Sequence, residues 1–256
     1  DVHDTFEKSE AELRKQLKDI FADIRNDLIR QVQRTLSSSS PAERRQGIAD
    51  LSVSYLPQLR RTIYQYLKNS FEYGKMSAAH EMRTEVPITP STAISVLGGK
   101  ADILVESAKN DLLKEAKLTL INKLEGKKFA EVPLSIILAA LGKALDSKIE
   151  DLLIGIPSVV VSGGINQGRR VAIEDNSDEI YALQRSEILD EATCDFCEAM
   201  DGRVFKKDDP ITREDGFHIN CRGIFVEIMK DELEKPEIKG IPDGLRSSYK
   251  GFNNII

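Results

Sequence analysis

The 256 residues carry 36 Lys and Arg against 42 Asp and Glu, a net charge of −6, with 41% apolar residues, few aromatics and no Trp. That mixture suits a soluble, helix-rich protein with long exposed faces. No apolar run reaches the roughly 18–20 residues of a bilayer span, and no signal-peptide pattern opens the chain. It begins at Asp1 rather than Met, as in a processed product or part of a longer chain.

Residues 4–36 read as one long amphipathic helix. Phe6, Leu13 and Ile20 recur every seven residues, as do Leu17 and Ile24, and Leu28 and Val32 continue the face. The opposite face is dense in charge. Two readings of the stripe stay open: a helix packed on its own domain, or one docked on a partner or on copies of itself. Ser40-Pro41-Ala42-Glu43 looks like a capping box with Pro at the first helical position, opening a second helix to about Tyr55. Pro57 opens a third, with Leu59, Ile63, Leu67, Phe71 and Ala78 on one side. Pro87 and Pro90 forbid a continuous helix there. Ile103 to Leu124 marks a further long helix ending near Gly126, and Leu134 to Leu153 another, apolar enough to be buried. A separate helix from about Ser158 to Ile173 is weakened by Gly163 and Gly164.

The character changes near Tyr181. Tyr181 to Leu189, Val204-Phe205 and Gly223 to Ile228 are short β-like runs. The tail after Met229, with Pro236, Pro242 and spaced glycines, reads as extended and ordered against a partner. Cys194-x2-Cys197 and His218-x2-Cys221 punctuate these runs with zinc-ligand spacing, so the expected fold is mainly α, with a small zinc-clamped α+β module at the C-terminal end. In chain order this gives a long-helix region over 1–85, a helical body over 86–175, the zinc module over 176–230 and an extended tail over 231–256.

All three cysteines fall within 28 residues. An odd, clustered set argues for a metal site rather than a disulfide framework. The pattern is Cys194-x2-Cys197, then 20 residues, then His218-x2-Cys221. Each pair can present two donors from one turn, and three thiolates with one imidazole fill the tetrahedron that Zn2+ prefers. A full shell leaves no position for water, so the zinc is expected to be structural and the protein non-catalytic. His3 and His80 have no partner motif and read as ordinary residues. No phosphate loop, GxSxG elbow or HExxH helix is present in the sequence. Residues 171–256 hold 20 acids and 11 bases, so the zinc module lacks the clustered cations that phosphate binding needs.

The stretch from Ser186 to Cys197, the run Met200-Asp201-Gly202-Arg203-Val204-Phe205, and His218-Ile219-Asn220-Cys221-Arg222 together resemble the phage head morphogenesis family, typified by the Mu F-like minor head proteins. Asn166-Gln167-Gly168-Arg169 is similar to the helix that leads into that family's module. The resemblance covers roughly residues 160–228. It departs where Phe217 and Ile219 replace the prolines often found beside the histidine, and where Gly223 replaces a cysteine that often follows the Arg.

The resemblance implies a minor capsid protein, in a few copies in the capsid interior of the virion. It would associate with the portal, with major capsid or scaffolding protein and packaged DNA as further contacts, and assist head assembly and DNA packaging or ejection. Two other classes compete with it. An HNH-like metal-dependent nuclease needs a free histidine or carboxylate set on a catalytic metal, whereas His218 is consumed as a ligand. A DNA-binding protein needs a basic patch that the acidic module lacks.

Overall fold

The computed structural model describes residues 2–38, 40–124, 132–191, 193–213, 221–242 and 245. Helix α1 (Val2–Leu36) is the long amphipathic helix of the sequence reading. Phe6, Leu13, Leu17, Ile24, Leu28 and Val32 are all fully buried. The seven-residue stripe is therefore interior to this chain and not an exposed docking strip. Each such side chain contributes on the order of 1.5–3 kcal/mol of transfer free energy.

Helix α2 (Pro41–Ala49) is shorter than expected. Ser40 Oγ accepts from the Glu43 amide, as a cap should. The Glu43 carboxylate, however, takes the Ser38 hydroxyl, and the Ser40 amide donates to Ser38 Oγ. The box is closed through a third residue. The expected extension to Tyr55 fails because residues 51–54 alternate: Leu51 and Val53 are buried while Ser52 and Ser54 are exposed. That is the period of extended chain. Its backbone is satisfied by α1, where Gln31 both accepts from the Ser52 amide and donates to its carbonyl. The Ser54 hydroxyl donates to Asp27 and holds that carboxyl below its usual range. Tyr55, at φ 64, turns the chain into α3 (Leu56–Glu81).

Helix α4 (Ser91–Leu124) begins directly after Pro90. Helix α5 (Leu134–Asp175) is a single helix of 42 residues, where two were expected, and Pro157 lies inside it. It is also long and apolar enough to cross a membrane by length and composition, contrary to the sequence reading. Yet 72% of its apolar window is buried within the chain, as in a core helix.

Contacts divide the chain into two compact units that cut across sequence order. One comprises Glu12–Ile63 and Gly99–Ile156; the other comprises Asp1–Ala11, Tyr64–Gly98 and Pro157–Ile256. The sequence-order divisions at 85, 175 and 230 follow changes of composition along the chain, whereas these units follow packing. Among the described residues, the regular elements of the first unit are all helices. Arg25 grips Asp146 through Nε at 2.5 Å and Nη2 at 2.9 Å, Arg60 grips Asp102, and Arg14 donates to the Leu153 carbonyl.

The second unit packs α3 on α5 through glycines. A Cβ at Gly168 would lie 1.9 Å from the Phe71 carbonyl oxygen, and one at Gly74 would lie 2.1 Å from that of Ile165. Gly164, one of the two glycines that weaken the helix as a sequence, acts alike: a Cβ there would lie 2.8 Å from the Leu67 carbonyl oxygen. Strands β1 (Ile180–Ser186), β2 (Val204–Lys206) and β3 (Ile224–Met229) follow, with a short helix α6 (Asp195–Met200) between the first two. They form an antiparallel sheet in the order β2-β1-β3. Pairing of Leu183 with Phe205 and of Arg185 with Phe225 sets the register. Leu183, Phe205 and Phe225 join Ala78 of α3, Met82 just past its end and Ala172 of α5 in one core, together with Cys197 and Cys221. Ala182, Val204 and Ile228 form a second cluster, covered by Ile238 of the tail. The protein is thus mainly α, with a small three-stranded sheet near its C-terminal end.

Candidate metal centre

The site grows from the end of β1. Past Ser186 the chain turns, and Thr193 fixes that turn: its Oγ1 accepts from the Asp190 amide at 2.9 Å and donates to the Ile188 carbonyl at 2.5 Å. The turn delivers Cys194 to the N-cap position of α6, where its thiol makes no capping bond. Cys197 then falls in the first helical turn and points inward, 3% exposed. Gly202, at φ 70, reverses the chain into β2. Its amide donates to the Arg185 carbonyl, and the Arg185 amide donates to the Arg203 carbonyl. Cys221 arrives just before β3, 2% exposed.

The α5 helix fixes that last approach. Asn166 donates to the Gly223 carbonyl at 3.0 Å and Arg169 Nε to that of Phe225 at 2.9 Å. Arg222 Nη2 donates to Asp190 Oδ1 at 2.5 Å. That contact ties the segment beside Cys221 to the turn that carries Cys194.

Cys197 Sγ and Cys221 Sγ lie 3.8 Å apart. A carboxylate oxygen of Glu187 completes a buried group of three donors, all within 4.8 Å of one another. The group could hold a metal ion. Arg185, fully buried, donates through Nε to Glu187 Oε1 at 2.7 Å and through Nη2 to Cys221 Sγ at 3.0 Å. Burial pushes the Glu187 carboxyl up to about 7, opposed by the Arg185 charge. The hydrogen bond to Cys221, with burial behind it, pushes the Cys197 thiol up as well. Bringing thiolates and a carboxylate this close is opposed by their like charges, which a bound cation would offset.

Of the four expected ligands, Cys197 and Cys221 are therefore brought together. Cys194 is exposed at the rim, near enough for its charge to act on Cys197. His218 lies outside the described residues. The sequence reading missed Glu187 and Arg185 as members of the site. The available signal was strand period: Arg185 falls two residues after Leu183, on the same face, so a charged side chain is sent into the core.

A second buried charge cluster lies on the same side of the sheet. Arg169, 1% exposed, donates to both oxygens of Glu81 at 3.0 and 2.7 Å and to Glu227 Oε2 at 2.8 Å. Two carboxylates share one guanidinium. Burial pushes the deeper Glu227 up to about 7. Glu81 sits nearer solvent, and Arg169 holds it below its ordinary value against the cost of burial.

Compared with protein-family models, with curated proteins and with solved structures, the chain matches none.

Proposed function

We propose that the chain is a structural, non-catalytic minor head protein of a tailed phage, whose C-terminal module is clamped by one Zn2+ on Cys194, Cys197, His218 and Cys221. The observation that carries the reading is the meeting of Cys197 and Cys221, one from each half of the motif, in a buried site. Two sulfurs about 2.3 Å from one tetrahedral ion stand roughly 3.8 Å apart. The observed separation is 3.8 Å, a spacing that two sulfurs on one zinc can adopt without rearrangement. Thiolate donors also select zinc over magnesium or calcium.

The head-protein half of the reading is supported by the order and spacing of the Cys194, Cys197, His218 and Cys221 motif. The contacts of Asn166, Arg169 and Arg222 support it as well, because residues that fit the family's pattern brace the segments bearing the ligands. In this reading the protein sits in the capsid interior, bound to the portal, with capsid or scaffolding protein and packaged DNA nearby. A closed ligand shell would hold the fold and activate no water.

Metal analysis of the dialysed protein should give about one zinc per chain, lost in Cys221→Ser. Mass spectrometry of purified heads should find the chain in a few copies, retained with the portal when heads are disrupted. A metal-free protein of unchanged fold would overturn the zinc assignment. Heads that lack the chain would overturn the head-protein assignment.

A further inference from the structure

We propose that Arg185 is a positioning residue of the metal centre, holding the Cys221 sulfur and lowering its donor strength, and that Glu187 orients the guanidinium instead of binding the metal. The inference rests on the metal reading above.

Arg185 occupies a core-facing position of the central strand and is fully buried. Such a position is ordinarily filled by an apolar side chain. Burying an ion pair there is a poor source of stability, since desolvation of both groups offsets their attraction. Its geometry suits a different task. Nε is bound to Glu187 Oε1 at 2.7 Å, which leaves Nη2 aimed at Cys221 Sγ at 3.0 Å. The guanidinium lies 5.0 Å from the centroid of the Phe225 ring, which fixes it from one side. Asp201 Oδ1 accepts from the Glu187 amide at 2.8 Å and anchors the orienting residue.

Gly223 makes the arrangement possible. A Cβ there would lie 2.2 Å from Glu187 Oε2 and 2.4 Å from Arg185 Nη2. The chain passes the Arg185–Glu187 pair with no side chain of its own. Three thiolates on a divalent ion leave an excess negative charge, and an N–H donor at one sulfur withdraws part of it. Groups of this kind set ligand orientation and basicity in metal sites. With Oε1 engaged by Arg185, the Glu187 carboxylate supports the fork.

The test replaces zinc by cobalt(II) in the full chain and records the ligand-field and sulfur-to-cobalt charge-transfer bands. Alkylation by iodoacetamide of the loaded protein and chelator competition for metal are followed alongside. Arg185→Met should move the charge-transfer band to longer wavelength, speed alkylation, and weaken metal binding by roughly tenfold to a hundredfold. Arg185→Lys should recover part of each effect. Glu187→Gln should shift the charge-transfer band in the same direction while leaving the ligand-field bands in place.

Wild-type band position and alkylation rate in Arg185→Met overturn the role of Arg185. If that variant does not fold, Arg185→Lys and Glu187→Gln decide, and wild-type alkylation in both overturns it equally. Altered ligand-field bands in Glu187→Gln make Glu187 a ligand and overturn its orienting role. A wild-type chain that takes up no cobalt removes the metal reading and this inference together. A wild-type chain that binds it while the variants behave identically removes this inference alone.

Discussion

The two compact units both use arginines to grip carboxylates, and the contacts differ far more in burial than in length. In the helical unit, Arg25 and Asp146 meet at 2.5 Å with 29% and 57% of their side chains exposed. In the sheet-bearing unit, Arg169 and Glu227 meet at 2.8 Å with 1% exposed on each side. Water and salt screen the first pair, and its removal leaves two hydrated side chains. The second pair has no water to return to. Losing one member strands a charge in the core. Distance alone thus says little about what an ion pair contributes; the solvent it has given up says more.

The sharpest test of this contrast is Arg169→Met. It should cost about 3–5 kcal/mol in chemical denaturation, the usual penalty for breaking a buried pair from one side. The loss should be larger at pH 8 than at pH 5, because at the lower pH Glu227 can take a proton and escape its charge. A loss below 1 kcal/mol at both pH values would place Arg169 with the surface pairs.

Glu227→Gln comes next. Burial raises the folded Glu227 carboxyl to about 7, above its unfolded value of about 4.3. The favourable contribution of the protonated form is fully present below the unfolded value and is lost as pH rises through the folded one. The wild type should therefore lose stability relative to Glu227→Gln between about pH 5 and 8, by up to about 3 kcal/mol. Glu187 carries a shift of the same sign, but it is common to both proteins and cancels in the difference. Parallel pH curves would assign the proton elsewhere.

Gly168→Ala should cost about 1–3 kcal/mol by overpacking, since its Cβ would meet the Phe71 carbonyl. Unchanged melting would mean that the two backbones can separate freely. The smallest effect belongs to Arg25→Ala, under about 1 kcal/mol and reduced further by salt. A loss of 3 kcal/mol or more there would erase the distinction between the two units.

Legibility in the sequence follows the range of the interaction. The α1 stripe could be read because its spacing is a local property of one helix. The end of α2 could not, since Leu51 to Ser54 hold their extended form through Gln31 and Asp27, some twenty residues away. The continuity of α5 past Pro157 was hidden for a similar reason: Gly164 and Gly168 lower its helical propensity, while their contact with α3 is visible only in space. At the candidate site, Cys197 and Cys221 were marked by spacing. Arg185 and Glu187 were not, because their meeting with Cys221 requires β1 to pair with β3.

Among the described residues the sheet has three strands, and β2, at its edge, has three residues. An edge of this kind is a template on which another copy of the chain can add a strand. Here the tail comes back to close it. The amides of Lys239 and Gly240 both donate to the Val204 carbonyl at 3.0 Å, and Ile238 covers the cluster beneath. Gly240, at φ 59, bends the segment away after that contact, and Pro236 and Pro242 bracket it with residues that cannot donate to a ladder. The tail therefore works as an internal stopper. It occupies the edge just long enough to deny it to a neighbour, and it is too interrupted to become a new edge itself. An edge closed from within the chain is one surface fewer on which copies of the chain can add strands and aggregate.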